Sequence, residues 1–163
     1  MPTADVSARP AVPGDEEAIA DIQARGVAHH PGCRCGGRPS PRPDRRAVGL
    51  RDRGSPSREH RMFVATDGPH VVGFAALAQG EIIALEVAPE HRRYGHGSRL
   101  LAACVDTLRI LGTSPVRTWA IEGDTVREAF LTSAGFAEGG IRRGMDGPGG
   151  EMAEPMWRAD LGQ

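Results

Sequence analysis

The chain of 163 residues contains no lysine: all 20 of its basic residues are arginine. Aromatic side chains are also scarce, at 4%, so Leu, Ile, Val and Ala must form the core. No segment approaches the roughly 18 apolar residues that a membrane helix needs. The first residues, up to Glu17, contain no apolar core of a signal peptide. We therefore expect neither export nor membrane insertion, and a cytoplasmic location.

Cysteines are few and unsuitably spaced for a disulfide scaffold. Cys33, Cys35 and Cys104 are an odd number, which fits a reducing compartment better than an oxidising one. His29 and His30 precede the first two cysteines and raise the question of zinc. However, the segment lacks a C-x₂-C pair and a second distant set of ligands. We therefore expect no metal.

Charge is distributed unevenly along the chain. Residues 31–61 contain nine Arg against two Asp and one Glu, a net charge of +6. Because the whole chain has a net charge of −1, the other residues together carry −7. The same segment has five Pro, five Gly and few aliphatic residues, which predicts a basic flap without a core of its own. An Arg-rich segment can bind RNA, but no aromatic residues alternate with these arginines and no binding module is recognisable. The acidic remainder would suit a cationic partner.

Apolar periodicity predicts a mixed α/β domain that spans residues 1–163, with the flap at about 31–61. Turns at Asp67-Gly68 and Gln79-Gly80 predict an antiparallel meander of three strands. Elsewhere the pattern predicts a short first strand, a helix after it, and then a helix, a strand, a helix and one last strand. The predicted elements are strand Val6–Arg9, a helix after Asp15, strands Met62–Thr66, Val71–Ala78 and Glu81–Val87, a helix through Leu100–Leu108, strand Val116–Ile121, a helix over Asp124–Ala134, and a strand within Met145–Trp157.

A glycine-containing loop between the third meander strand and the following helix is typical of a pyrophosphate site. Gly95 and Gly97 allow close backbone approach, and the helix start directs N–H groups and its positive dipole end toward one point. A Rossmann loop is excluded because the third glycine of its motif is Leu100 and no βαβ unit precedes it. A P-loop is excluded because the chain has no lysine.

The sequence resembles the GNAT superfamily of acetyl-CoA-dependent N-acetyltransferases. The similarity rests on Val87-x-Pro89-x-x-Arg92-x-x-Gly95-x-Gly97-x-x-Leu100-Leu101, on the Asp67-Gly68 hairpin, and on Gly135-Phe136 after the last helix. It implies a GNAT fold, in which a central, mostly antiparallel sheet splays after its fourth strand and is flanked by helices. It also implies acetyl-CoA as cosubstrate.

Carried onto this sequence, the resemblance implies a cofactor site at the splay. The backbone of the fourth strand should pair with the pantetheine arm, the loop amides should hold the pyrophosphate, and the last helix should supply further contacts. Arg93 stands where the family often has Gly. The implied cofactor-binding residues are Leu85, Glu86, Val87, Arg92, Arg93, Tyr94, Gly95, His96, Gly97, Ser98, Asp124 and Phe130.

The catalytic groups are harder to assign. The tyrosine that acts as general acid in many members falls on Leu131, so the leaving thiolate would lack that acid. Attack by an amine needs a base or a carboxylate linked through water. Glu81 and Glu86 on the fourth strand are the candidates, with Glu122 after the next strand as another. Each could equally be a solvated carboxylate.

These observations predict an enzyme that transfers an acetyl group from acetyl-CoA to a primary amine by direct attack. The acceptor could be a small molecule or a peptide, and the N–H of Val87 would bind the oxyanion. The absence of the tyrosine keeps open a non-catalytic acyl-CoA-binding or regulatory module of the same fold. We expect no membrane partner and disfavour nucleic acid, and a homodimer is left open.

Overall fold

The computed structural model describes residues 6–28, 60–147 and 150–162, so most of the predicted flap lies outside the described residues. Seven strands and three helices form the described part of the chain. Among these helices, none has both the length and the apolar run that a bilayer crossing requires. The elements are β1 (Val6–Pro10), α1 (Glu16–Ala28), β2 (His60–Asp67), β3 (His70–Ala78), β4 (Glu81–Val87), α2 (His96–Ile110), β5 (Val116–Trp119), α3 (Thr125–Ser133), β6 (Ala137–Gly147) and β7 (Gly150–Ala159), with a 3₁₀ turn at Pro89–His91.

The strands form one sheet in the order β1-β2-β3-β4-β5-β7-β6. All neighbouring pairs are antiparallel except β4 and β5, which run parallel. The three meander strands pair as their turns predict. The mixed α/β fold with a mostly antiparallel sheet is therefore confirmed.

Apolar side chains cover both faces of the sheet. On one face, α2 presents Leu100, Cys104 and Leu108, one helical turn apart, to the larger core cluster. On the other, Ile19 and Ile22 of α1 pack against a smaller cluster that includes Phe74 and Ala84. The two helices therefore fix the central strands from opposite sides, and β4 lies between them.

The sequence prediction missed one strand. It placed a single strand after the last helix, whereas β6 and β7 form a hairpin there. β6 contains four glycines and several charged residues, and its described side chains are largely exposed. It therefore lacks the alternation of apolar and polar residues that marks a half-buried strand, and its strand state depends on pairing with β7.

Candidate active site

The sheet opens between β4 and β5. Only two residue pairs join these strands, Glu81 with Arg117 and Ile82 with Thr118. The Thr118 hydroxyl donates to the carbonyl oxygen of Ile82 at 3.0 Å, and no pairing with β5 follows it. Ile83 is an extra residue opposite the Ala76–Leu77 step of β3, which makes a β-bulge at the start of the opening. The edge of β4 from Leu85 to Val87 is consequently left unpaired on the β5 side.

Strand geometry directs the N–H of Val87 toward this open edge. Ala88 donates its N–H to the carbonyl of Val72 in β3 at 2.8 Å. Because successive residues of a strand direct their backbone groups to opposite edges, the N–H of Val87 faces away from β3. The carbonyl oxygen of Val87 accepts a hydrogen bond from Nε of Arg92 at 3.1 Å, which ties the strand end to the loop that follows.

The loop before α2 has the backbone shape of an anion site. Arg93 and Gly95 both have positive φ, 66° and 86°, and Gly95 caps α2. Where residues of left-handed conformation alternate with residues of other conformations, several backbone N–H groups turn toward one concave side of the loop. The dipole of α2 adds positive potential there. A Cβ atom added at Gly97 would lie 3.6 Å from the ring of Phe130, so a small side chain at this position would make an ordinary van der Waals contact.

A cavity of about 680 Å³ joins the open edge of β4 to this loop and to α3. Ten of the twelve cofactor residues inferred from the family resemblance line it. Tyr94 and His96 do not, because the side chain of Tyr94 is exposed and that of His96 is buried beneath the loop. Lining residues that the sequence did not single out are Gly26, His91, Gly123, Thr125, Val126, Arg127, Ala129 and Ser133.

Arg127 is the most consequential residue that the sequence reasoning missed. Its Nη2 donates to Oε1 of Glu86 at 2.9 Å, across the opening between β4 and α3. An added Cβ on Gly26 would lie 3.1 Å from Oε2 of Glu86, so the glycine leaves room for this carboxylate. Glu86 is therefore held between α1 and α3. The one sign in the sequence is that Arg127 occupies a position where the family often has Ala, which marks a departure from the family and not the contact with Glu86.

Glu81 lies at the other end of β4, on the face of the sheet that carries α1. Its Oε2 accepts a hydrogen bond from Nε1 of Trp119 at 3.2 Å. The guanidinium carbon of Arg143 lies 4.2 Å from the centroid of the Trp119 ring, and Nε of Arg143 donates to Glu154 at 2.7 Å. Glu154 is only 8% exposed. These contacts thus run from β4 through β5 and β6 to β7, and they hold Glu81 in place. Glu81 itself does not line the cavity.

The remaining candidates lie elsewhere. Leu131 is buried in the larger core and does not line the cavity, whereas its neighbour Phe130 does. Glu122 forms an exposed ion pair with Arg142 at 2.5 Å. His29, His30, Cys33 and Cys35, considered above as zinc ligands, lie outside the described residues.

The sequence model of the acetyltransferase (GNAT) family matches residues 31–136. The chain belongs to this family. It is accordingly an acetyl-CoA-dependent acyltransferase, as the resemblance implied. No curated protein sequence matches this GNAT protein significantly.

Solved structures share the fold over nearly the whole chain. A GCN5-related N-acetyltransferase from Kribbella flavida is 22% identical, with a TM-score of 0.74, and the alignment covers 99% of this chain and 100% of that one. The ribosomal-protein-alanine N-acetyltransferase from Brucella melitensis is 20% identical, with a TM-score of 0.73 and coverage of 94% and 99%. The yncA protein of Salmonella typhimurium, solved with its cofactor acetyl-CoA, is 18% identical, with a TM-score of 0.71 and coverage of 97% and 95%. At these identities the likeness establishes the fold alone.

Proposed function

We propose that the protein transfers the acetyl group of acetyl-CoA to a primary amine by direct attack at the thioester. One observation carries the proposal: the unpaired edge of β4 and the loop at the start of α2 meet in a single cavity. Pantetheine would pair with Leu85 and Val87 as an added strand, and the amides from Arg93 to Ser98 would hold the pyrophosphate. The arginines at positions 92 and 93, both at the cavity, add positive charge.

The N–H of Val87 is the proposed oxyanion donor. It faces the open edge, and its strand is fixed on the other side by β3. A backbone donor held in place before the reaction stabilises the negative charge of the tetrahedral intermediate without rearranging. The amine nitrogen forms the new C–N bond, the C–S bond breaks, and CoA departs as the thiolate. The thiolate then takes up the proton that the attacking nitrogen loses on becoming an amide, so CoA is released as the thiol.

Glu81 is the proposed base, acting on the acceptor ammonium through water. Of the two carboxylates on β4, Glu86 forms an ion pair with Arg127, which suits a role in positioning β4 against α3. Glu81 has an oxygen fixed by a neutral indole N–H and its charge is not neutralised by a described ion pair. Carboxylates on the α1 face and the −7 balance outside residues 31–61 favour a cationic acceptor such as a polyamine, an aminoglycoside or a basic peptide terminus.

The test is release of CoA from acetyl-CoA with one amine from each of these three classes. We expect turnover with at least one of them, and a 10²–10⁴-fold lower kcat in Glu81→Gln, the range typical of general base catalysis. Glu122→Gln, which removes an exposed carboxylate that pairs with Arg142, is the matched control and should keep kcat within about two-fold.

Two results would contradict the proposal. Binding of acetyl-CoA without turnover of any amine would favour the non-catalytic module. A loss of kcat in Glu86→Gln, with Glu81→Gln unaffected, would move the base to Glu86.

A further inference from the structure

Three potential metal ligands meet beneath the loop that joins β4 to α2, here called the cofactor loop. Asp67 ends β2, His91 ends the 3₁₀ turn and His96 opens α2. One side-chain ligand atom from each lies within 4.8 Å of the others. Nδ1 of His91 is 3.8 Å from Oδ2 of Asp67, and the two imidazole rings meet edge to face with centroids 6.2 Å apart.

The buried member of this cluster lacks a hydrogen-bond partner. His96 is 2% exposed, and its Nδ1 accepts or donates no hydrogen bond to any described residue. An unpartnered polar atom in the interior is costly, and an aliphatic side chain at this place would avoid the cost. The side chain therefore has the position of a ligand, with a buried nitrogen that no described group satisfies.

We propose that Asp67, His91 and His96 bind one divalent transition-metal ion of the zinc class. Two imidazoles and one carboxylate suit zinc, whereas Mg²⁺ and Ca²⁺ prefer oxygen ligands alone. Zinc–ligand distances near 2.0–2.1 Å require ligand atoms about 3.3 Å apart. Asp67 and His91 need to close by about half an ångström, and the distances to His96, which lie within 4.8 Å, by up to about 1.5 Å. The side chains of Asp67 and His91 are 41% and 32% exposed, so both can turn toward the buried His96. A fourth position would be left to water.

No motif in the sequence points to this site, and the spacing of the cysteines and histidines predicted no metal. Its three ligands come from a hairpin, a turn and a helix start, which are brought together only by the fold. Metal motifs in a sequence are recognised by short regular spacings, and Asp67 is 24 residues from His91. This site has no ligand in common with the histidines and cysteines at positions 29–35.

Metal binding would fix the cofactor loop, a consequence that rests on the proposed cofactor site. The ligands at positions 91 and 96 lie on either side of Arg92 and Gly95, and His91 also lines the cavity. An ion held there restricts the loop before acetyl-CoA arrives and adds positive charge near the pyrophosphate. Both effects favour tighter cofactor binding.

Calorimetric titration with ZnCl₂ tests the site directly. The titrated protein carries Cys33→Ser and Cys35→Ser, which removes the competing thiols. We expect one zinc ion per chain in this background, and at least ten-fold weaker binding after either His91→Ala or Asp67→Asn. His70→Ala is a stringent control, because His70 pairs with Asp67 across the hairpin but is not in the cluster. It should leave zinc affinity within about two-fold.

Absence of zinc binding in that background, or binding that both ligand variants retain, would overturn the metal site. Its coupling to the cofactor is tested separately by the Kd of acetyl-CoA, which has no free thiol to bind zinc. We expect saturating zinc to lower this Kd at least three-fold, and His91→Ala to abolish the effect. An unchanged Kd with zinc bound would overturn the coupling. A failure of acetyl-CoA to bind at all, with zinc binding intact, would instead contradict the proposed cofactor site.

Discussion

Glu86 and Arg127 form an ion pair across the cavity between β4 and α3, with 2.9 Å between Oε1 and Nη2. Glu86 belongs to β4 and Arg127 to α3, and each side chain is 20% exposed. Loss of one partner from a partly buried pair leaves the other charge poorly solvated, which costs more than the loss of an exposed pair. The pair therefore holds the splayed strand and the last helix at a fixed separation.

We expect Arg127→Met to lower the free energy of unfolding by about 1–3 kcal/mol, an intermediate value between exposed and fully buried pairs. In a double-mutant cycle with Glu86→Gln, the combined variant should lose little more than either single variant. Urea denaturation measures all three. Arg142→Met breaks the exposed pair with Glu122 and should cost under about 1 kcal/mol. Additive losses from the two cleft substitutions would contradict the coupling.

The cofactor loop is tested by two substitutions at Gly97. An added methyl group would lie 3.6 Å from Phe130, and Gly97 does not have positive φ, so Gly97→Ala should be tolerated. Gly97→Glu places a carboxylate at the proposed pyrophosphate position and should abolish binding. With acetyl-CoA at 100 times its Kd, wild type and Gly97→Ala should gain about 2.7 kcal/mol in a thermal-shift assay, and Gly97→Glu nothing. Equal shifts in all three proteins would place the pyrophosphate elsewhere.

Local patterns predicted the loop and the meander because their signals are local. Gly95 adopts the left-handed conformation that its motif requires, and the turn at Gly68 has positive φ as a hairpin turn of this kind needs. Arg93 also has positive φ, which gives a physical reason why the family often has Gly there. A sequence cannot show that Arg127 reaches Glu86, because that contact joins residues 41 positions apart across an opening in the sheet.

Asp15 makes the start of α1 sensitive to acid. Its carboxylate accepts hydrogen bonds from Arg9, at 2.8 and 3.1 Å, and from the N–H of Val12. The hydrogen bond from Arg9, opposed by burial and assisted by Val12, holds the pKa of Asp15 below its usual value. The native state therefore binds this proton less readily than the unfolded chain. The resulting stability is present above the unfolded pKa, near 3.8, and is lost as pH falls through the lower folded pKa.

We expect Asp15→Asn to be less stable than wild type at pH 7, and the difference between the two to shrink as pH falls below about 4. Denaturation with urea at a series of pH values measures the difference. Asn still accepts a hydrogen bond at the helix start, so the comparison isolates the charge. A difference that stays constant down to pH 2 would mean that the ion pair with Arg9 adds no stability.

Trp119 is expected to position Glu81, so its indole N–H should matter for turnover and not for cofactor affinity. Trp119→Phe retains an aromatic ring beneath Arg143 but removes the donor to Oε2 of Glu81. A base that is less well placed slows proton transfer, and we expect kcat to fall about ten-fold while KM for acetyl-CoA stays within two-fold. Steady-state kinetics with the best amine of the panel separates the two constants.

Arg143→Met is the matched variant, because it removes the cation above the ring and leaves the indole bonded to Glu81. It should lower kcat less than Trp119→Phe does. In a Glu81→Gln background, Trp119→Phe should have no further effect on kcat, since the group that it positions is already gone. A ten-fold loss that persists in that background, or a rise in KM for acetyl-CoA with unchanged kcat, would mean that Trp119 shapes a binding site and does not act through Glu81.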